Sequence, residues 1–397
     1  MRYQLPASSP ITSAALLRGA LCAARLLPDV GETLRTQLQE RFTADRAVLC
    51  ASGTAALQLA LSSLRARLGA DAAVALPAFS CFDVATAAVG AGVPIRFYDL
   101  DPATLNPDPD SLRAALRAGA RGIVVAPLFG IPVDWDTLSD AARAFDAVLI
   151  EDAAQGHGAA WRGRPLGSLA PISVLSFGRG KGWTGGAGGA LLLRSGWSSL
   201  APQPSAAGSA QDTGVLGRAL AQWTFARPSL YALPRALPGV GLGETHYRTP
   251  DAAVRGLSRT AAALLLATAT QAEQEAASRR RNATRYLAAE LWQHTGNVFC
   301  VPAAAQPGWL RFPLRISSGM SRERLLAHGR KLGVEGSYPR PLTELPAVQQ
   351  LRLDPGEVYA GAWTLATELL TLPTHGRLSP SDVRAASELV TDAAAAD

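Results

Sequence analysis

Lysine is almost missing from this sequence. Of its 38 basic residues only Lys181 and Lys331 are lysines. Cysteine is scarce too, with four in 397 residues, and charged residues make up only 18%. Each shortage excludes something. Four cysteines without paired spacing argue against a disulfide framework and a zinc site, and point to a reducing, cytoplasmic setting. Low charge beside 48% hydrophobic residues excludes a disordered chain and allows a large core spread over two or three domains. Long apolar runs are also lacking: residues 13–27 are broken by Arg18 and Arg25, and 260–270 fall short of the roughly 20 apolar residues that cross a bilayer. No membrane span is expected, and Pro6, Pro10 and Arg18 interrupt any export-signal core. A net charge of +6 is mild for this length and does not by itself suggest nucleic acid.

The lysine shortage makes each remaining lysine informative. Arginine stays protonated, whereas lysine can lose its proton and attack a carbonyl. Lys331, in GRKLGV, ends a polar helical stretch and reads as a solvated surface charge. Lys181 lies in SFGRGKGWTGGAGG, a glycine-rich loop between two apolar runs, and is the candidate for chemistry.

From residue 47 to 194, short apolar runs alternate with amphipathic stretches. Strands are expected at 47–50, 73–76, 95–98, 122–126, 147–151, 172–177 and 190–193, with helices at 54–67, 84–90, 109–118 and 136–145. Such alternation predicts an α/β fold: a mostly parallel sheet covered on both faces, binding ligands beyond the carboxyl ends of its strands. The Ser/Ala/Gly/Pro-rich stretch 196–214 reads as a loop, and the proline-rich 227–250 as extended or broken. A long helix is expected from Thr260 to Trp292, with Arg279, Arg280 and Arg281 on its solvated face. A smaller α+β unit follows from Phe299, with a strand near 309–316.

Four features carry chemistry. In CASGT followed by AALQLAL, a strand enters a small-residue turn and a helix starts at Ser52 or Gly53; its free N–H groups suit a phosphate, although taken alone a plain N-cap is the favoured reading. In VLIEDAAQ, an apolar strand ends in Glu151 and Asp152, and alternation turns one carboxylate to a ligand and the other away. An Asp there could keep a pyridinium nitrogen protonated, or serve as an N-cap or magnesium ligand. Ser176 and Lys181 lie five positions apart at a strand-to-loop transition; the serine can donate to a phosphate and the lysine can form a Schiff base with an aldehyde. Lys181 precedes Gly182, which does not fit a Walker A loop. In PAFSCF, after a strand, an aromatic could stack on a ring or simply belong to the core.

The order of these features resembles the fold type I pyridoxal-phosphate enzymes, and more narrowly the DegT/StrS-type sugar aminotransferases. The stretches that carry the likeness are ASGTAALQLAL, LPAFSCFDVATAAVGAGVPIRFYDLDPATLN, PLFGIPVDWDTL, IEDAAQGHGAAWRGRPLGSL and VLSFGRGKGWTGGAGGALLL, with weaker echoes at RRRNATRYLAAEL and LLTLPTHGRLS. The resemblance implies pyridoxal 5'-phosphate as cofactor and Lys181 as its Schiff-base lysine. It further implies Asp152 at the pyridine nitrogen and Gln155 at the phenolic oxygen, with Ser52, Gly53, Thr54 and Ser176 around the phosphate. Where the family has an aromatic stacked on the ring this chain has Cys81, so the neighbouring Phe82 is expected to stack. Other departures fall at Ala187, at His246-Tyr247-Arg248 in place of Asn-Tyr-Arg, and at Pro127 in place of a histidine. They leave the cofactor core intact and alter the substrate side and cross-subunit contacts.

Implied with these are an amino donor, expected to be glutamate, a keto-sugar acceptor, expected to be nucleotide-linked, and a homodimer. The expected layout is an N-terminal arm over 1–45, a large cofactor-binding domain over 46–255, and a connecting helix with a small domain over 256–397. A lyase or decarboxylase using the same lysine, and a non-catalytic cofactor-binding regulator, are the competing readings.

Overall fold

A computed structural model describes residues 3–199, 203–236, 246–290, 299–317 and 319–395. Its centre is a seven-stranded sheet. In chain order the strands are β1 (Arg46–Cys50), β2 (Ala73–Pro77), β3 (Ile95–Tyr98), β4 (Ala120–Val125), β5 (Val148–Asp152), β6 (Ile172–Ser176) and β7 (Gly189–Leu193). Across the sheet the order is β1-β7-β6-β5-β4-β2-β3. Neighbours from β3 to β6 pair in parallel, and only β7 runs against both its neighbours. Strands β2 and β7 are buried along their whole length, as expected of strands covered on both faces.

The helices start where the sequence supplies caps. Helix α3 (Gly53–Leu68) is capped by Ser52, α5 (Pro109–Arg117) by Asp108, and α6 (Trp135–Ala144) by Asp134, each side chain accepting a backbone N–H of the first turn. Between α3 and α5 lies α4 (Phe82–Ala91). Before the sheet come α1 (Ser13–Ala23) and α2 (Gly31–Phe42).

Two loop expectations are corrected. Helix α7 (Ser209–Phe225) occupies the end of the stretch read as a loop. Its small residues are interface rather than linker: Val215 and Ala219 pack with Ile11, Ala15, Ala261 and Leu264. Helix α8 (Pro228–Ala236) occupies the start of the proline-rich stretch. Pro228 is its first residue, where a missing N–H costs nothing because that N–H has no helical acceptor. Of the rest of that stretch, 246–250 carries no regular structure, and 237–245 lies outside the described residues.

Helix α9 (Arg259–Ala288) then runs 30 residues toward the small unit; Trp292, read as its end, lies outside the described residues. The small unit holds a three-stranded antiparallel sheet of β8 (Phe312–Arg315), β9 (Glu335–Gly336) and β10 (Leu369–Leu372), with β10 in the middle. Helices α10 (Gly319–Gly329), α11 (Ala360–Glu368) and α12 (Pro380–Ala395) accompany it. No helix among the described residues is long and apolar enough to cross a membrane.

Residues 3–9 stitch the two parts together. Tyr3 and Gln4 donate backbone N–H groups to the carbonyls of Pro228 and Lys331 (3.0 and 2.9 Å), and His375 Nε2 donates to the Leu5 carbonyl at 2.8 Å. A carbonyl only accepts, so Nε2 carries the proton and the buried Nδ1, which has no partner, is bare. Burial holds the His375 pKa down at about 4. The folded chain therefore refuses a proton that the unfolded chain takes up below its ordinary value of 6.5, and burial lowers His157 in the same direction. Stability should be complete above about pH 6.5 and fall by about 3 kcal/mol toward pH 4. Urea melts across this range check it; His375→Gln should flatten the slope, and an equal slope in that variant would contradict the assignment.

Candidate active site

The carboxyl ends of β4, β5 and β6 point to one edge of the sheet, and the start of α3 meets them there. One recess at this edge is lined by Gly53, Thr54, Ser80, Cys81, Asp83, Pro127, Asp152, Gln155, Ser176 and Lys181, among others. Six of the eight expected site residues thus share a single space.

The start of α3 is packed hard against the end of β6. A Cβ added to Gly53 would lie 2.6 Å from Ser176 Cβ, so only glycine lets the helix N-terminus and the serine close on the same point. Ser52 does not line this recess. Its Oγ accepts the Ala55 N–H at 3.0 Å, the plain capping role, and it borders a larger neighbouring pocket with Thr54, Arg248 and Arg255.

The acidic pair divides as strand alternation requires. Glu151 is fully buried and accepts from Gly167 N–H (2.6 Å), Leu169 N–H (2.9 Å) and the Ser173 hydroxyl (2.8 Å), a structural role in the loop after β5. Asp152 faces the recess. Its Oδ1 accepts the Ala154 N–H at 3.1 Å, while Oδ2 takes no hydrogen bond from a described residue. Burial raises the Asp152 pKa, and the Lys181 ammonium pulls it back. Cys81 shares the space with its thiol pushed up by burial to about 11, so it stays neutral.

Gln155 is fixed from both ends. Its Oε1 accepts the Phe129 N–H and its Nε2 donates to the Tyr338 hydroxyl, both at 2.9 Å. A primary amide has two N–H groups, so one remains for a ligand. Tyr338 comes from the small unit, packs edge-on to Phe79 with ring centroids 5.5 Å apart, and keeps its proton because burial drives its pKa well above normal.

Phe82 is not brought into the recess. It is the first residue of α4 and sits 4% exposed in the core, while Cys81, one position earlier, lines the recess instead. A one-residue step at a helix start turns a side chain from ligand to core, and composition cannot resolve that step.

The loop carrying Lys181 is held from two sides. Gly182, at φ +84°, donates its N–H to Ser9 Oγ at 3.0 Å, and a Cβ there would lie 2.9 Å from Arg279 Nη1. Arg279 is only 1% exposed; its Nε donates to the Gly308 carbonyl at 3.2 Å and its Nη2 to the His157 carbonyl at 2.9 Å. The solvated face expected for the Arg279–Arg281 run is thus wrong for Arg279. The signal was present: Ala272, Ala276, Arg279, Ala283 and Tyr286 form one buried stripe at helical spacing.

The donor set fits pyridoxal phosphate: one amine, one carboxylate with a spare oxygen, an amide with a spare N–H, and a helix N-terminus beside a serine for a dianion. Among the described residues no group of three or more His, Cys, Asp and Glu side chains could hold a metal ion.

The chain is similar to known proteins. The family model of the DegT/DnrJ/EryC1/StrS aminotransferase family matches residues 30–199 and 246–391. An L-glutamine:2-deoxy-scyllo-inosose aminotransferase of Streptomyces lividus is 39% identical over 147 residues, 37% of this chain and 34% of its own. The 3-amino-5-hydroxybenzoate synthase of Amycolatopsis mediterranei is 35% identical over 153 residues, 38% of this chain and 39% of its own. These matches span little more than a third of either relative. The crystal structure of AtS13 from Actinomadura melliaura superposes with TM-score 0.74 at 23% identity, covering 99% of both chains. At that identity it shows the fold, which is that of the fold type I enzymes.

Proposed function

Because the chain belongs to the DegT/DnrJ/EryC1/StrS aminotransferase family, we propose that it is a pyridoxal-phosphate-dependent aminotransferase that passes nitrogen from an amino acid to a polyhydroxylated cyclic ketone. The observation that carries this reading is the meeting of Lys181, Asp152, Gln155 and Ser176 with the start of α3 in one recess. The Gly53 and Thr54 N–H groups and the Ser176 hydroxyl would hold the phosphate, Asp152 the ring nitrogen, Gln155 the phenolic oxygen, and Lys181 the aldehyde carbon. When bound, the cofactor supplies an electron sink next to the carbon that loses its proton.

The chain's own residues do the rest. Lys181 Nζ would carry the proton lost by the donor's α-carbon to the cofactor carbon that gains it, and would be left neutral again. Asp152 would hold negative charge against the ring nitrogen, whose proton would offset the burial that otherwise raises the Asp152 pKa. Gln155, pinned by Phe129 and Tyr338, orients the ring plane. The neutral thiol of Cys81 adds bulk without a competing charge. The finer reading is glutamate as donor, a nucleotide-linked keto-sugar as acceptor, and a cytoplasmic homodimer. Relatives named for L-glutamine and an inosose make that amide and a keto-cyclitol the rival pair.

The test is a half-reaction. Protein loaded with pyridoxal phosphate is mixed with glutamate, glutamine or alanine in turn, and the cofactor's visible absorbance is followed. Bleaching by an amino acid and recovery with one class of ketone supports the reading and names both substrates. Release of ammonia or carbon dioxide without amine transfer would replace it with a lyase.

A further inference from the structure

Three glycines from three segments clear the same space, and one guanidinium fills it. Gly182 follows Lys181, Gly158 lies in the loop that leaves β5, and Gly308 precedes the small sheet. A Cβ on Gly182 would lie 2.9 Å from Arg279 Nη1 and 3.1 Å from Nη2. A Cβ on Gly158 would lie 2.7 Å from the Cβ of Ala276, three residues before Arg279 on α9, and one on Gly308 would lie 2.8 Å from the His157 carbonyl oxygen. Gly158 and Gly182 also hold φ at +83° and +84°, where a side chain is strained. The three backbones crowd round the end of Arg279 more closely than side chains of their own would allow.

The guanidinium joins what it touches. Its Nη2 donates to the His157 carbonyl at 2.9 Å and its Nε to the Gly308 carbonyl at 3.2 Å. His157 stands two residues past Gln155 on the loop from β5. Gly308 gives its own N–H to the Gly130 carbonyl at 2.8 Å, beside Phe129, whose N–H is bonded to Gln155. Arg279 Nη2 also lies 3.3 Å from His157 Nδ1. Arginine only donates, so Nδ1 accepts and the ring proton sits on Nε2, facing Glu273 Oε1 at 3.4 Å. Next along α9, Arg280 Nη1 donates to the Gly158 carbonyl at 3.1 Å. The loop of Gln155 is thus fastened to α9, and the loop of Lys181 rests on the same guanidinium.

That is a costly way to fill a space. Arg279 is sealed from solvent, and its Nη1, against Gly182, has no hydrogen-bond partner among the described residues. Burial brings its pKa down to about 10, still a cation at neutral pH. Glu275 and Glu273, whose charges it feels, are bonded elsewhere, to the Gly376 N–H and to Arg41. Replacing buried charges by apolar residues of similar volume is often neutral or stabilising. What an apolar side chain lacks is a rigid fork that holds two carbonyls at a fixed separation.

Resting on the aminotransferase reading, we propose that Arg279 is the positioning residue of the proton transfer. It touches no substrate. It sets the distance between the Lys181 loop and the loop of Asp152 and Gln155, and so where the amine stands relative to the carbons it serves. Such a distance acts steeply, because a misplacement of about 1 Å can lower a rate about 100-fold.

Two variants separate position from packing. Arg279→Lys keeps the charge and can reach one carbonyl; Arg279→Met keeps the bulk and reaches none. Each is loaded with pyridoxal phosphate and mixed with rising amounts of the amino acid that bleaches the unaltered protein, in ordinary and α-deuterated form. The limiting bleaching rate per bound cofactor should fall about 10-fold in Arg279→Lys and about 100-fold in Arg279→Met, with the half-saturating donor concentration kept within about twofold. The isotope effect should grow, as the proton step becomes slower than its neighbours. A lower melting temperature with an unchanged limiting rate would make Arg279 merely structural and overturn the proposal, as would a loss confined to half-saturation. Should Arg279→Met fail to fold, Gly182→Ala presses on the same contact from the other side. It should slow bleaching in the same manner, and full rate there overturns the proposal. A further readout needs no amino donor: the condensation of Lys181 with added pyridoxal phosphate, followed by visible absorbance, should be slowest in Arg279→Met and intermediate in Arg279→Lys. Equal condensation rates in all three proteins overturn the proposal. Bleaching of the unaltered protein by no amine would sink the aminotransferase reading and leave the condensation series to decide on Arg279.

Discussion

Lys181→Ala should purify as a folded protein that borohydride cannot cross-link to pyridoxal phosphate, with amine transfer down by at least about 10⁴-fold. Two losses combine. The covalent anchor disappears, and so does the proton carrier, whose share alone is typically 10²–10⁴-fold. The fold should survive because Lys181 is half-buried on a loop whose position depends on backbone and neighbours: Gly182 bonds Ser9, and Arg279 fills the space beneath. The other lysine, Lys331, is an exposed surface residue and offers no substitute. A reduced, covalently labelled peptide recovered from Lys181→Ala would move the attachment point elsewhere.

Asp152→Asn should give the second-largest effect, and a different one. The amide is nearly the same size and can still accept the Ala154 N–H through its oxygen. It carries no charge, so the ring nitrogen would lose the counter-ion that keeps it protonated. The expected outcome is near-normal stability, a retained trappable adduct, and turnover lower by about 10²–10³-fold, the scale of losing one preorganised electrostatic contact. Removing a carboxylate whose charged form is disfavoured by burial also relieves a local cost, so the melting temperature should not fall. Unchanged turnover would take Asp152 out of this role. An equal effect from Glu151→Gln, whose carboxylate is spent on Gly167, Leu169 and Ser173, would mean that both changes act through the loop after β5.

The sheet was legible because its signals are local. All seven expected strands fall within two residues of observed ones, since each is a short apolar run closed by turn residues or a capped helix. The recess followed from the same signals, because the ends of parallel strands share an edge whatever else the chain does. What stayed hidden depends on distant contacts. Tyr338 reaches Gln155 across 183 residues, and nothing in GSYPRP marks it for that meeting. Arg279 belongs to a third kind. Its burial was written in the helical spacing of its neighbours, and a run of three arginines drew attention away from that pattern.

The strap formed by residues 3–9 has a bearing on how the molecule is made. Its anchors include the Gly182 amide, the carbonyls of residues 228 and 331, and a histidine 370 positions downstream. This segment is therefore among the last to find its place, because its partners lie up to 370 positions downstream. A nascent chain can assemble the seven strands while the loop around the reactive amine still lacks its final bond. The strap's other anchors at residues 228, 331 and 375 are what hold Ser9 in reach of that loop, so the surroundings of the reactive amine depend on parts of the chain far from it in sequence.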